Sequence, residues 1–255
     1  MKLKYISSSL ALIFSFLFLT QEHAFALDKT YAGLAVSWDH MGGKSYGALK
    51  TREGNNLNFS NGLSLCANRM NGYVFVGTFY NLKQLPLFIS PEFQIGQGSL
   101  NSQLRNTASD PSVDLGAEFL QRRMDPKLSR QMTTSLVIRV GGKVLNSLNL
   151  YGLGGIDSSR FKYSFIVEKF EANYGRINGF QTFIKSKWKI APVVGGGISK
   201  EIDKILIGLE YRFSLYSPIK TARTIDQYME REVATTKFKP YISSVMLRLS
   251  YALGY

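Results

Sequence analysis

Residues 245–255, Val245-Met246-Leu247-Arg248-Leu249-Ser250-Tyr251-Ala252-Leu253-Gly254-Tyr255, alternate without an error. Every odd position is large and apolar or aromatic. The even positions after Met246 are small or polar: Arg248, Ser250, Ala252, Gly254. Side chains on a strand point to opposite faces with period two, so this strand has one broad greasy face and one narrow polar face. It ends on an aromatic, Tyr255. In an exported protein, that combination is how a membrane-spanning β-barrel closes.

The first residues predict export. Met1–Tyr5 carries Lys2 and Lys4, Leu10–Leu19 is apolar apart from Ser15, and Ala24-Phe25-Ala26 has the spacing of a signal-peptidase site. The apolar run is about ten residues, too short for the roughly 20 of a spanning helix. Residues 1–26 therefore read as a removed signal peptide with Ala24 and Ala26 at the cleavage motif, and residues 27–255 as one domain. No later stretch is apolar for long enough to span as a helix. The net charge of +13 is spread singly, with no basic block or helical stripe, which speaks against nucleic acid as a partner. Lipid phosphates, anionic glycans or acidic surface polymers are the expected electrostatic partners of an exported chain, and solvated lumen and loop charges the plainer explanation. The lone Cys66 cannot form an intramolecular disulfide and is expected as a buried or capped thiol, or in an intermolecular bridge.

The period-two pattern recurs upstream. Leu34, Val36 and Trp38 share a parity, as do Leu85, Leu87, Ile89, Pro91, Phe93 and Ile95. So do Leu136, Ile138 and Val140, then Ile184, Trp188, Ile190, Val194 and Ile198, and then Ile205, Ile207, Leu209, Tyr211, Phe213 and Leu215. Residues 72–82 are apolar on both faces, and 148–167 keep a clean phase only in Phe161, Tyr163 and Phe165. About eight strands result, the smallest size of a closed membrane barrel. The connections alternate: long segments near 39–71, 97–132, 168–178 and 217–237, short turns near 81–84, 141–146 and 200–204. Short turns on one side and long external loops on the other are the membrane-barrel layout. A soluble barrel would put its apolar face inward and its charges outward. Here the narrow face of Gly, Ala and Ser with occasional charges suits a tight lumen, and the broad face suits lipid. Trp38, Tyr73, Tyr151, Trp188 and Tyr255, near strand ends, are expected to form interfacial girdles. The fold class is thus an all-β, up-and-down, closed antiparallel transmembrane barrel with long external loops.

Strand parity places Glu92, Arg139, Lys187, Lys189, Glu210, Arg212 and Arg248 on the lumen side. An eight-stranded barrel is only just wide enough for its own side chains, so these charges are expected to pair, Glu92 or Glu210 with Arg139, Arg212 or Arg248, as a plug. A basic, anion-favouring pore is the other reading. Met41-Gly42-Gly43-Lys44-Ser45 resembles the end of a phosphate loop, but Trp38 stands where its first glycine should be. Gly195-Gly196-Gly197 lacks the third glycine of a dinucleotide fingerprint and is expected to thin the wall beside bulky lumen side chains. After the leader, His40 is the only histidine, so Asp39-His40 is the one candidate catalytic pair. No catalytic, metal or cofactor site is expected. In the external segments, Val113, Ala117, Leu120 and Met124 fall at helical spacing, and Thr224-x-x-Gln227 is a capping-box pattern ahead of Tyr228, Met229 and Val233. Both predict short helices on the rim, ordering the loops or forming a partner-binding crown.

"ILIGLEYRFSLY" at 205–216 and the closing "VMLRLSYALGY" resemble the last two strands of opacity-like outer-membrane β-barrels, related in architecture to the membrane domain of outer-membrane protein A. As a layout the resemblance covers the whole chain after the leader. It implies the outer membrane of a Gram-negative bacterium, with outer-membrane lipids as surroundings. It also implies insertion by the outer-membrane assembly machinery, which recognises the alternating final strand through Leu249, Tyr251, Leu253 and Tyr255. The family more often ends in Phe, so Tyr255 departs from its pattern. The expected function is a non-enzymatic surface antigen or adhesin whose loops contact host or environmental molecules. The alternatives are a small low-conductance porin and, more remotely, a lipid- or peptide-modifying enzyme.

Overall fold

The computed structural model describes residues 26–50, 56–82, 85–103, 120–145, 148–171, 175–176, 181–227 and 230–253. Among them are β1 (Ala26–Lys50), β2 (Asn56–Asn81), β3 (Leu87–Gln103), β4 (Leu120–Leu145) and β5 (Leu148–Glu171). There follow β6 (Gly175–Arg176), β7 (Gln181–Ile202), β8 (Ile205–Leu215), β9 (Ile219–Gln227) and β10 (Glu230–Ala252). Each long strand pairs antiparallel with its neighbour in the order β1-β2-β3-β4-β5-β7-β8-β10, and β10 returns to β1. The β1–β10 ladder runs unbroken from Tyr31↔Ala252 to Lys50↔Val233 and closes the ring. Closure leaves neither strand with an edge along this seam. The two-residue β6 is an annex of β5, and β9 continues β8 after a break, pairing with the upper half of β10.

The final strand shows how the pattern is used. Leu247 and Leu249 point outward and are 60% and 54% exposed, while Met246, Arg248, Ser250 and Ala252 are buried inside. The Leu253 N–H donates to the Thr30 carbonyl at 2.7 Å and the Ala252 N–H to that of Lys204 at 2.9 Å, tying the end of β10 to both flanks. Around the ring the outward residues are Leu34, Val36, Val74, Val76, Ile138, Ile156, Val194, Ile207 and their like, an exposed apolar belt. Trp38 and Trp188 stand outward on it. Such a surface is far larger than the apolar patches ordinary monomers leave to water.

Both described termini, the facing ends of β2 and β3 and of β4 and β5, and the turn at 203–204 lie at one end, the turn end. Asp203 makes the tight β7–β8 turn with φ 54°, a conformation that Asp tolerates better than most residues. At the opposite, hairpin end, the segments expected to be long loops are largely strand. β1 and β2 are 25 and 26 residues long and meet again at Lys50↔Asn56. That is more than twice the roughly 9–11 residues that cross a bilayer core. Pairing each backbone group with a neighbour satisfies it without a buried face, so the ladder runs on where side-chain alternation has faded. Where the expected rim helices fall on described residues, the same logic replaces helix by strand. Leu120–Met124 belongs to β4, and Thr224–Gln227 lies in β9, paired with Glu230–Val233 of β10. A local capping pattern yields there to cross-strand pairing. Residues 112–119, like Tyr228 and Met229, lie outside the described residues.

Candidate functional site

Among the described residues, charge is gathered out of reach of solvent in the lumen. At mid-height, Arg139 of β4 donates from Nε to Glu210 Oε2 (2.9 Å) and from Nη2 to Glu92 Oε1 (3.0 Å). Arg248 of β10 donates from Nη1 to Glu210 Oε2 (2.9 Å) and also pairs with Glu92. Arg212 pairs with Glu210 and donates to Gln94 Oε1 at 2.5 Å. Tyr151 donates to Glu210 Oε2 (3.1 Å) and Tyr31 to Glu92 Oε2 (2.8 Å). The Arg248 guanidinium sits 4.3 Å from the Phe75 ring centroid, a cation–π contact. Two carboxylates thus hold three arginines, with every long side chain supported from another strand.

Nearer the hairpin end is a second cluster. Asp39 of β1 accepts from Asn71 Nδ2 (2.6 Å), from the Tyr73 hydroxyl (3.3 Å) and from Arg130. Beside it Asp157 accepts from Ser135 Oγ (2.5 Å) and from Ser214. The buried charges among the described residues are therefore Arg130, Arg139, Arg212 and Arg248 against Asp39, Glu92, Asp157 and Glu210. They balance, in a chain whose net charge is +13. Arginine suits such sites because its planar fork serves several carboxylate oxygens at once.

An apolar layer crosses the lumen toward the hairpins, where Met41, Leu100, Leu128, Phe161, Ile219 and Phe238 are all 0% exposed and pack with Tyr163, Tyr216 and Ile242. Toward the turns, the Phe88 ring packs against those of Phe79 and Tyr151. The space left between Tyr31, Phe79, Phe88, Tyr151 and Arg248 is ≈ 20 Å³, room for about one water. Where rings swing inward, the cross-strand partner is glycine: a Cβ on Gly197, opposite Tyr151, would lie 2.8 Å from the Tyr151 hydroxyl and 2.6 Å from the Leu209 carbonyl. Gly96 makes room for the Tyr73 ring in the same way.

Five of the seven lumen charges read from parity, Glu92, Arg139, Glu210, Arg212 and Arg248, come together in this network. Lys187 and Lys189 do not join it. They lie on the inward face of β7 but higher, half-buried at the hairpin end, where Lys189 Nζ reaches the Pro218 carbonyl (3.1 Å). Of the final-strand residues, Leu249, Tyr251 and Leu253 point outward; Tyr255 lies outside the described residues, as does Ala24, and Ala26 is the first residue of β1. Tyr73 and Tyr151 do not belong to an outer girdle but face the lumen, as do Phe161 and Tyr163, because small inward neighbours leave room for rings. Asp39 and His40 point to opposite sides of the wall: Asp39 is buried inside, and His40 Nδ1 is 2.7 Å from Asn68 Oδ1 on the outer face. They cannot act as a dyad. Cys66 is exposed on β2 rather than buried. Asp39, Asp157 and Arg130 were missed as lumen charges. Arg130 lies beyond a bulge in β4, where Arg130 and Thr133 oppose Phe161 and Ser159, and this extra residue inverts the parity. Among the described residues no group of three or more His, Cys, Asp or Glu could hold a metal ion.

No protein-family model and no curated protein matches the chain. Among solved structures it is similar to the outer membrane protein OprG of Pseudomonas aeruginosa, at 12% identity over 90% of this chain and 98% of that one, with a TM-score of 0.45. It is also similar to the outer membrane protease OmpT of Escherichia coli, at 11% identity over 92% and 100%, TM-score 0.43. A third is Ail, the attachment invasion locus protein of Yersinia pestis, solved with the heparin analogue sucrose octasulfate, at 13% over 88% and 99%, TM-score 0.39. Likenesses this remote carry no function across, and the ring itself rests on the strand pairing above.

Proposed function

We propose that this chain is a sealed outer-membrane β-barrel acting as a surface protein, with its role carried by the outward wall and the hairpin end and not by its bore. The observation that carries this reading is the lumen: a charge-balanced interior with a fully buried apolar layer across its hairpin end. A porin needs a water-filled path, and none is compatible with Phe161, Phe238 and Leu128 fully buried across the hairpin end. The apolar belt argues for lipid around the wall, since a charged and hydrogen-bonded interior with a greasy exterior inverts the soluble pattern. The leader and the final strand support export and insertion by the assembly machinery of the outer membrane, with Leu249, Tyr251, Leu253 and Tyr255 as the recognised pattern. An enzymatic role has little to work with, since its one candidate pair is split across the wall. The strands extended past the belt put the hairpins well clear of the membrane, where they can meet host or environmental molecules.

The test joins three measurements on refolded protein. It should migrate differently on a detergent gel before and after boiling, insert into vesicles, and yield no discrete conductance steps in a planar bilayer. Regular open-channel steps that change with Arg212→Ala or Arg248→Ala would overturn the sealed-barrel reading in favour of a pore.

A further inference from the structure

The barrel wall is split at its hairpin end. β7 begins at Gln181, yet it pairs with β8 only from Val193↔Ser214 to Ile202↔Ile205. On the other side of the gap, β9 pairs only with β10. The upper half of β7 and all of β9 therefore rise from neighbouring places in the ring without a shared ladder. A proline stands at the foot of the split on each side: Pro192 follows the last β7–β8 pair toward the hairpins, and Pro218 lies in the break between β8 and β9. Neither has an N–H to give to a continuing ladder. Above them, each strand keeps a free row of N–H and C=O groups, the template for an added strand.

The free half of β7 is also cationic with strand period. Lys185, Lys187 and Lys189 lie opposite Tyr163, Phe161 and Ser159 of β5, all buried on the lumen side, so the three lysines share that face. Lys189 Nζ spans the foot of the split to the Pro218 carbonyl (3.1 Å) and Ser217 Oγ (3.4 Å), while Lys185 stands exposed. Alternate residues on a strand repeat every 6.6 Å or so, and a strand laid alongside has the same repeat. Edge lysines repel a second copy of themselves, so an apolar or basic strand is disfavoured there and an acidic one is matched.

We propose that the split between β7 and β9 receives an extended acidic segment of a partner protein as an added strand, its carboxylates at every second position facing Lys185, Lys187 and Lys189. This rests on the surface-protein reading above and names the partner's chemistry. The free edges supply backbone hydrogen bonds, and opposite charges across the new ladder set register and choice.

The test uses refolded protein in vesicles and a fluorescein-labelled eight-residue peptide of alternating Glu and Thr, followed by anisotropy. Saturable binding is expected. The triple variant Lys185→Gln, Lys187→Gln, Lys189→Gln should weaken it at least about fivefold. N-methylation of alternate peptide amides, which keeps every charge but blocks strand addition, should abolish it. Equal binding of the methylated peptide, or equal displacement of both peptides by a sulfated oligosaccharide, would show a site that reads charge alone and overturn the proposal. So would unchanged affinity in the triple variant, or no saturable binding to protein that still shows the boiling-dependent gel shift. That last outcome leaves the barrel reading standing; loss of the gel shift itself counts against the barrel.

Discussion

Replacing Glu210 by Gln removes one charge and almost no volume from the centre of the lumen. Glu210 accepts hydrogen bonds from Arg139, Arg212, Arg248 and the Tyr151 hydroxyl. Without it, Arg139 and Arg248 share Glu92, and Arg212 keeps only its bond to Gln94. Each pair at about 4 Å is worth roughly 4 kcal/mol gross at an effective dielectric constant near 20. The net cost is smaller, because Arg139 and Arg248 can lean toward Glu92, and breaking a buried pair by removing one partner costs about 3–5 kcal/mol. The upper end applies here, since one carboxylate serves three cations. Equilibrium urea unfolding in lipid vesicles gives the number, read from the emission of Trp38 and Trp188, the chain's two tryptophans, both on the outer wall. Glu201→Gln is the control, because Glu201 pairs with Lys29 at the partly exposed turn end and should cost under about 1 kcal/mol. Adding Arg212→Gln to Glu210→Gln returns the layer to its original net charge and should recover part of the loss. A Glu210→Gln cost no larger than that of Glu201→Gln, with no recovery in the double variant, would mean that water screens the network and that the lumen is open.

Asp39→Asn should destabilise by a similar 3–5 kcal/mol, because it strips Arg130 of its buried partner, whereas His40→Ala on the outer face should stay within about 0.5 kcal/mol in the same unfolding assay. Similar costs for the two would contradict their placement on opposite faces. Leu249→Arg, at the middle of the apolar belt, should cost about 2–4 kcal/mol, and Ser243→Arg, the next outward position beyond Val245 on the same strand, under about 1 kcal/mol. Indistinguishable costs would argue against lipid around Leu249. Gly96→Val puts a branched side chain where the Tyr73 ring lies and should lower stability by about 1–3 kcal/mol, an effect that Tyr73→Ala in the same chain should largely relieve.

The belt and the mid-lumen charges were legible because both are written in period two with a strong contrast: Arg248 between Leu247 and Leu249, Arg212 between Tyr211 and Phe213. Legibility ended where that contrast did. Arg130 has the wrong parity for a lumen residue until the bulge before Thr133 is known, and a bulge of this kind has no composition cue there. Tyr151 and Tyr73 look like girdle aromatics because hydrophobicity cannot tell a ring facing lipid from one that packs across a lumen; Gly197 and Gly96, the partners that make room for them, come from other strands. The segments near 39–71 and 217–237 look like loops because their buried face is marked only by scattered residues such as Met41, Ser45, Ala67 and Ile219, with no sustained apolar alternation. Their pairing is a property of the neighbouring strand, as with Thr224↔Val233, and lies beyond any local pattern.

Charge, finally, separates the two parts of the molecule. The described lumen holds as many carboxylates as arginines and no fully buried lysine, so it adds nothing to the chain's net +13. Outside the lumen, Lys44, Arg69, Arg160, Lys162, Lys185 and Lys239 are exposed among the described residues. Neutrality inside follows from the cost of an unpaired buried ion. The wall outside is under no such constraint, and a surface this positive raises the local concentration of any anionic partner and the rate at which it arrives. An isolated cation gains little by this, but Lys185, Lys187 and Lys189 are spaced by the strand that carries them and stand beside edges that are still unpaired. Binding at that place should therefore weaken with salt only in its charged part, while the backbone part persists. A peptide that loses all affinity by about 1 M salt, where screening acts within roughly 3 Å, would be held by charge alone and not as a strand.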